Sequence, residues 1–170
     1  TWLIALSSGS TSIGIVADER IHPYNTINTF DKVREWLKNY EPQCSDRIEE
    51  KIDLFQDFLC LKHFSYRCKQ LYSEDGWCLT GDAGMFLDPL YSPGSDFVGM
   101  NNGFITDIIS KFLQGQNISQ EVHEHERTFR SIFSGFTPIY EDQYSTMANS
   151  KVMSSKFVWD LMMYWGGIAP

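Results

Sequence analysis

The residues best suited to chemistry lie in residues 77–97, where a short apolar run is followed by two turns. Gly81 and Asp82 come directly after the apolar run, which is predicted to be a strand. The glycine indicates that the backbone passes close to another group at this turn, and the carboxylate of Asp82 lies at the end of the strand. A carboxylate in that position can accept hydrogen bonds from the hydroxyls of a sugar or polyol. The pattern therefore favours a ligand site at this turn.

A second turn, Ser92-Pro93-Gly94, opens a segment with an apolar helical pattern. The N-terminus of a helix carries free N–H groups and the positive end of the helix dipole. Such an end stabilises an anion, for example a phosphate, a halide or a reduced flavin. Gly-Asp and Pro-Gly pairs are also ordinary turn residues, but their joint order and spacing here favour a binding site.

Residues 77–97, W-C-L-T-G-D-A-G-M-F-L-D-P-L-Y-S-P-G-S-D-F, resemble the second FAD-binding motif of flavin-dependent halogenases and their relatives. Residues 4–16 are similar to the β-hairpin of that family, and residues 156–165 to its helical C-terminal part. The resemblance implies an α/β fold, or α+β as a fragment. It would be the C-terminal portion of a p-hydroxybenzoate hydroxylase-type FAD-binding fold, with a β-hairpin, helices and a helical C-terminal region.

The resemblance also implies cofactor contacts for single residues. Asp82 matches the acid that contacts the ribityl chain of FAD, and Gly81 and Ala83 shape its turn. Gly94 and Ser95 match the helix start whose amide groups face the pyrimidine edge of the flavin ring. Reduced flavin is anionic at that edge, so the positive end of a helix dipole would stabilise it.

The loop between the two turns departs from the family at two positions. Pro89 matches a proline near the flavin ring, but Tyr91 stands where tryptophan halogenases have a catalytic Glu. This argues against tryptophan as the substrate and makes Tyr91 a candidate catalytic residue of the pocket loop. The family binds its halide with backbone N–H groups at the positions of Pro93 and Gly94, and because Pro93 has no N–H, halide binding is weakened here.

The first motif of such a fold, a G-x-G-x-x-G turn in a βαβ unit, does not occur in this sequence. The sequence also starts at Thr1 in a predicted strand. We therefore expect a C-terminal fragment of a longer flavoprotein, whose upstream half would contain the family's catalytic lysine. We expect residues 1–115 to be part of the FAD-binding and substrate module, and residues 116–170 to be a helical C-terminal region.

The hydrophobic pattern predicts the elements that position these residues. A β-hairpin is expected over residues 2–17. The first helix is expected over residues 30–40, and the last over residues 137–165. The helices are expected to be capped or to begin at Thr29, Ser45, Gly94 or Ser95, Ser119 and Thr137.

Composition excludes several classes of function. The chain has 170 residues and a net charge of -8, which disfavours binding to nucleic acid or anionic lipid. No apolar run is long enough to span a membrane and no signal peptide is recognisable, so a cytoplasmic location is predicted. The four cysteines match no zinc module, no metal site is predicted, and free thiols are expected. Trp159 and Trp165, at helical spacing, are expected to make core or helix contacts.

Three functions follow from these residues and the resemblance. The first is an FAD-dependent oxidoreductase of the halogenase-like class that acts on an electron-rich aromatic small molecule, with FADH2 supplied by a flavin reductase. The second is a non-halogenating flavin monooxygenase or dehydrogenase. The third is an inactive remnant or interaction domain. The sequence leaves the substrate, the use of halide, the reductase and the oligomeric state open.

Overall fold

Short strands and longer helices make up the computed structural model, which describes residues 1–167 of the chain. The architecture is a mixture of α and β elements, in agreement with the α+β expectation. The chain divides into two compact units, Thr1–Lys62 and His63–Pro170. The boundary expected near residue 115 therefore lies within the second unit.

The first unit begins with the predicted β-hairpin. Strand β1 (Trp2–Ala5) pairs antiparallel with strand β2 (Thr11–Gly14), and Trp2 lies opposite Gly14. Gly9 takes a φ of 85° in the connecting turn, a conformation that suits glycine because it has no Cβ. The polar turn and the two apolar strands thus form the hairpin that the sequence indicates.

Two helices follow in the first unit, α1 (Phe30–Tyr40) and α2 (Pro42–Glu49). The expected bounds of α1 are confirmed, but Ser45 as the cap of the second helix is wrong. Pro42 is the first residue of α2, and Ser45 is buried within that helix. Proline is well suited to a first helical position because its fixed φ is helical and no N–H is needed there.

Four two-residue strands form two small antiparallel ladders in the second unit. Strand β3 (Tyr66–Arg67) pairs with β6 (Met85–Phe86). Strand β4 (Tyr72–Ser73) pairs with β5 (Trp77–Cys78), which is the short apolar run that precedes the first turn. The two ladders bring residues on either side of that turn into fixed positions.

The second unit contains three helices, α3 (Gly94–Leu113), α4 (Ser119–Phe136) and α5 (Ser150–Gly167). The expected start of α3 at Gly94 is confirmed. Ser119 is the first residue of α4 instead of its cap, and the side-chain oxygen of Asn117 accepts the N–H of Ser119.

The predicted start of the last helix at Thr137 is wrong. Thr137–Ile139 is a single 3-10 turn, and α5 begins only at Ser150. Asp142 interrupts the chain with a φ of 57°, in the left-handed region that a continuing helix cannot contain. The side chain of Asn149 then accepts the N–H groups of Lys151 and Val152, which makes Asn149 the residue that starts the helix.

The hydrophobic core of the second unit lies between α3, α4 and the short strands. Trp159 and Trp165 are not part of it, since they are 63% and 67% exposed on α5, and the ring of Trp165 contacts Tyr164 of the same helix. Phenylalanines of α3 and α4 form its centre, where the ring of Phe97 lies 5.2 Å from that of Phe133. The buried apolar residues are Leu71, Tyr72, Met85, Leu87, Phe97, Ile108, Ile118, Val122, Phe129, Phe133, Phe136, Ile139 and Tyr140.

Candidate functional site

A narrow cleft in the second unit lies between the 3-10 turn Gly81–Ala83 and the first turn of α3. It encloses about 20 Å³, room for about one water molecule. The two turns that the sequence singled out therefore meet at one place, although Gly81 and Pro93 are twelve positions apart in the chain. The lining residues are Gly81, Asp82, Met85, Phe86, Leu87, Asp88, Pro93, Gly94, Phe97, Val98, Asn101 and Phe129.

The first wall of the cleft is the turn that contains Gly81 and Asp82. Gly81 has a φ of 56°, and a Cβ added there would meet Cγ2 of Val98 at 3.4 Å. A side chain at this position would therefore strain the backbone, while its Cβ would make an ordinary close contact with Val98. The backbone carbonyl of Asp82 accepts the hydroxyl of Tyr66. Asp82 is exposed and its carboxylate accepts no hydrogen bond from the residues that the structure describes, so its oxygens are available to a ligand.

The N-terminus of α3 forms the opposite wall. Pro93 is the capping residue, and no side chain accepts the first N–H groups of the helix. The space beside Gly94 is open, since nothing lies within 4 Å of a Cβ built there. This end of a 20-residue helix presents N–H groups and a positive dipole to the cleft, which suits an anion.

Asp88 is a lining residue whose role sequence reasoning missed, although its Asp-Pro pair was part of the quoted motif. Its carboxylate accepts the N–H of Leu90 at 2.8 Å and the hydroxyl of Tyr144 at 2.9 and 3.0 Å. Burial raises the pKa of Asp88 above its ordinary value, and these two hydrogen bonds partly offset the rise. Asp88 can therefore hold a proton more readily than an exposed Asp.

Asn101 supports the floor of the cleft from α3. It is 1% exposed, accepts the hydroxyl of Tyr72 at 2.5 Å and donates to the carbonyl of Leu79 at 3.2 Å. Its position four residues after Phe97 is the signal that places both side chains on one face of the helix. This network ties α3 to the strands that precede the first turn.

Tyr91 lies outside the group of residues that line the cleft. Its ring packs near Phe157 of α5, with 6.3 Å between centroids, and its hydroxyl interacts with the carboxylate of Asp160. Burial and that carboxylate raise the pKa of Tyr91 to about 12, so the phenol keeps its proton at neutral pH. Tyr91 and Ser92 have φ values of 62° and 55°, and two consecutive left-handed residues other than glycine store strain in this loop.

The carboxylate that faces Tyr91 belongs to a buried ion pair on α5. The side chains of Lys156 and Asp160 are 8% and 6% exposed, and Nζ lies 2.6 Å from Oδ2. The ammonium also donates to the carbonyl of Ile139 at 2.7 Å. The pair therefore connects α5 to the loop around Tyr91 and to the 3-10 turn after α4.

The remaining positions that the resemblance assigned to the cofactor are near the cleft but do not line it. Ala83 and Ser95 are exposed, and Pro89 is half-buried. The carbonyl of Pro89 accepts the N–H of Ser92 and closes the strained loop. The structure thus brings together Gly81, Asp82, Pro93 and Gly94.

Within residues 1–167, no three His, Cys, Asp or Glu side chains are placed to hold a metal ion. The cysteines in this part of the chain are free thiols, as expected. No helix among the described residues is long and apolar enough to cross a membrane.

The chain is similar in sequence to flavin-dependent halogenases. It is 25% identical over 176 residues to flavin-dependent halogenase chlA of Dictyostelium discoideum, an alignment covering 99% of this chain. It is 28% identical over 117 residues, 69% of this chain, to a 1H-pyrrole-2-carbonyl peptidyl-carrier protein brominase of Pseudoalteromonas luteoviolacea strain 2ta16. In both cases the chain spans 28% of the relative's length, and it matches a C-terminal part. No family model and no solved structure matches the chain.

Proposed function

We propose that this chain is the C-terminal part of an FAD-dependent oxidoreductase of the halogenase-like class, which acts on an electron-rich aromatic small molecule. The parent protein is the longer polypeptide that would contain this chain as its C-terminal part. The observation that carries the proposal is the cleft, in which Gly81, Asp82, Pro93 and Gly94 of the motif line one space. The similarity to two halogenases over most of the chain supports the same class.

The donor set of the cleft fits part of a flavin. The exposed carboxylate of Asp82 can accept hydrogen bonds from a ribityl chain, and the open helix end at Gly94 can stabilise negative charge on a ring edge. The enclosed volume of about 20 Å³ is far too small for the ring itself. These residues would therefore supply one wall of the site, and the part of the parent protein that precedes this chain would bind the pyrophosphate end.

When bound, the flavin supplies the redox chemistry with oxygen. This chain contributes binding and orientation: Asp82 holds the polyol and Gly94 offers an N–H to the anionic edge. Asp88, whose pKa is raised by burial, lines the cleft, and the hydroxyl of Tyr144 fixes the orientation of its carboxyl group. The hydrophobic side chains beneath them exclude water from the floor, where Phe97 and Phe129 lie.

A non-halogenating flavin monooxygenase or dehydrogenase is the second candidate, and Pro93 favours it. The capping position holds a buried proline, so only Gly94 of the two halide positions has an N–H. One N–H in place of two weakens any halide site at this end. We further propose that a separate flavin reductase supplies FADH2 and that the parent protein acts in the cytoplasm.

To test the proposal, the parent protein is incubated with FAD, a flavin reductase, bromide or chloride, and phenol or pyrrole substrates. The masses of the products are then measured by mass spectrometry. An added halogen is the expected result. Addition of oxygen alone with halide present selects the monooxygenase. Unchanged substrates, from a parent protein that binds no flavin, contradict the proposed class.

Pro93→Ala sharpens that test because it restores the missing N–H, and alanine accepts the backbone angles of Pro93, φ -71° and ψ -12°. In a halogenase the fraction of halogenated product is expected to rise at limiting bromide. Ser110→Ala, an exposed position near the other end of α3, is the matched control and should leave the fraction unchanged. Equal halide dependence in Pro93→Ala and the unmodified protein would remove Pro93 as the cause of weak halide use.

A further inference from the structure

Helix α5 is attached to the second unit through a polar stripe, the reverse of an ordinary surface helix. Lys156 donates to the carbonyl of Ile139 and pairs with Asp160. Near the end of the helix, the hydroxyl of Tyr164 donates to Asp96 at 3.1 Å. The inward residues of α5 therefore contact the unit through hydrogen bonds and charge, together with the ring of Tyr164, which packs against the hydrophobic core.

The outward side of α5 is mostly apolar, with Ser154 and Ser155 as its exposed polar residues after the first turn. At about 100° per residue, the inward stripe occupies roughly 80° of the helix circumference and the exposed apolar side chains about 240°. A soluble surface helix has the opposite arrangement, and a helix that is apolar almost all round is normally buried in a larger body. The exposed side chains, each 40 to 67% accessible, are Val152, Phe157, Val158, Trp159, Leu161, Met162, Met163 and Trp165.

We propose that the outward side of α5 is the docking surface for the part of the parent protein that precedes this chain. The proposal goes beyond the flavin cleft and rests on the proposed function only in taking the chain as part of a longer protein. The length argues for this occupant, because the chain spans 28% of both relatives and matches a C-terminal part. If the parent protein is as long as these relatives, most of its residues lie outside this chain and can cover the helix.

Two other occupants fit the surface less well. A second copy would cover one seam of α5, whereas the apolar side chains extend round about two-thirds of the circumference. A helix lying on a membrane surface needs a charged, usually Lys- and Arg-rich, side opposite its apolar side. On α5 (Ser150–Gly167) the only exposed charged residue is Lys151, the other exposed polar residues are uncharged serines, and the charged residues Lys156 and Asp160 face the unit. The net charge of -8 also opposes anionic lipid.

The experiment compares oxidation of Met162 and Met163 by hydrogen peroxide in this chain and in the parent protein, with mass spectrometry of peptides. Oxidation follows exposure, so we expect both residues to react about fivefold more slowly in the parent protein. Met85, which is 7% exposed, is the internal control and should react slowly in both. Equal rates for Met162 and Met163 in the two proteins would overturn the proposal.

Further measurements identify a different occupant. Protection that appears in this chain alone and disappears on dilution assigns the surface to a second copy. Protection that requires vesicles of phosphatidylcholine and phosphatidylglycerol assigns it to a membrane. Either result overturns the proposal. No flavin or halide enters these measurements, so the proposed function can fail while the docking surface is confirmed.

A charged substitution on the outward side of α5 gives a second test of the docking surface. Met162→Glu is expected to shift the Tm of this chain by less than about 2 °C, because the side chain is 66% exposed. In the parent protein the same change buries a charge and should lower the Tm by roughly 5 °C or more. Ser131→Glu, an exposed position on α4 four residues after Arg127, is the matched control and should be silent in both. Equal small shifts for Met162→Glu in both proteins contradict the proposal.

Discussion

Lys156→Met is expected to destabilise the second unit strongly, because it leaves a buried carboxylate without its cation. The two side chains are 8% and 6% exposed and 2.6 Å apart, so little water can replace the lost partner. Breaking such a pair by removing one member costs about 3–5 kcal/mol of unfolding free energy. Asp160→Leu should cost a similar amount, since the ammonium then keeps only the carbonyl of Ile139.

The double variant distinguishes the cost of an unpaired buried charge from the cost of losing the contacts of the two side chains. Replacing a buried pair by apolar residues of similar volume is neutral or stabilising. Lys156→Met with Asp160→Leu is therefore expected within about 1 kcal/mol of the unmodified chain, or above it. Urea unfolding followed by circular dichroism gives the four free energies of the cycle. Lys151→Met, an exposed lysine of the same helix, is the control and should change stability by less than about 0.5 kcal/mol. Single changes below about 1 kcal/mol, or a double variant as unstable as the sum of the two, would refute a buried pair.

Three further predictions concern the cleft. Burial raises the pKa of Asp88, so its stabilising contribution is present below the unfolded pKa of about 3.9 and lost as pH rises through the folded pKa. The stability of the unmodified chain relative to Asp88→Asn should therefore fall as pH rises above about 4, and a constant difference in urea titrations contradicts this. Gly84→Ala should cost about 1–3 kcal/mol, since its Cβ would lie 2.6 Å from Cδ2 of the buried Leu71, whereas Gly99→Ala, with open space in α3, should stabilise by about 0.5–1 kcal/mol. Asn101→Ala should lower the free energy of unfolding by at least about 2 kcal/mol, because it leaves the hydroxyl of Tyr72 and the carbonyl of Leu79 without the Asn101 side chain as partner. A loss below about 0.5 kcal/mol in thermal unfolding would rule out the network.

Local patterns predicted the hairpin, α1 and the start of α3, because each depends on residues close in the chain. The hairpin needs only a polar turn between apolar runs, and α3 begins where Pro93 and Gly94 allow it. The start of α5 was missed because apolar spacing continues through residues 137–149, while the break depends on the backbone of Asp142 and the cap at Asn149.

The residues of the candidate site were also predicted only in part from the sequence. Gly81, Asp82 and Gly94 could be chosen from residue type and order, and the structure brings them to one cleft. Tyr91 was assigned to the pocket from its place in the loop alone, but its contacts with Phe157 and Asp160 come from α5, more than sixty residues later in the chain. Burial raises the pKa of Asp88 and the hydrogen bond from Tyr144 partly offsets the rise, and neither effect is visible in a local sequence pattern.

The most direct test of the flavin assignment is the affinity of the parent protein for FAD with and without the carboxylate of Asp82. Hydrogen bonds to a charged group are worth about 1.5–3 kcal/mol, so Asp82→Ala should raise the Kd for FAD by roughly 10- to 100-fold. Asp57→Ala, which removes an exposed carboxylate of the first unit, is the control and should leave the Kd unchanged. Equal FAD affinity in Asp82→Ala and the unmodified parent protein, measured by fluorescence titration, would contradict flavin binding at this cleft.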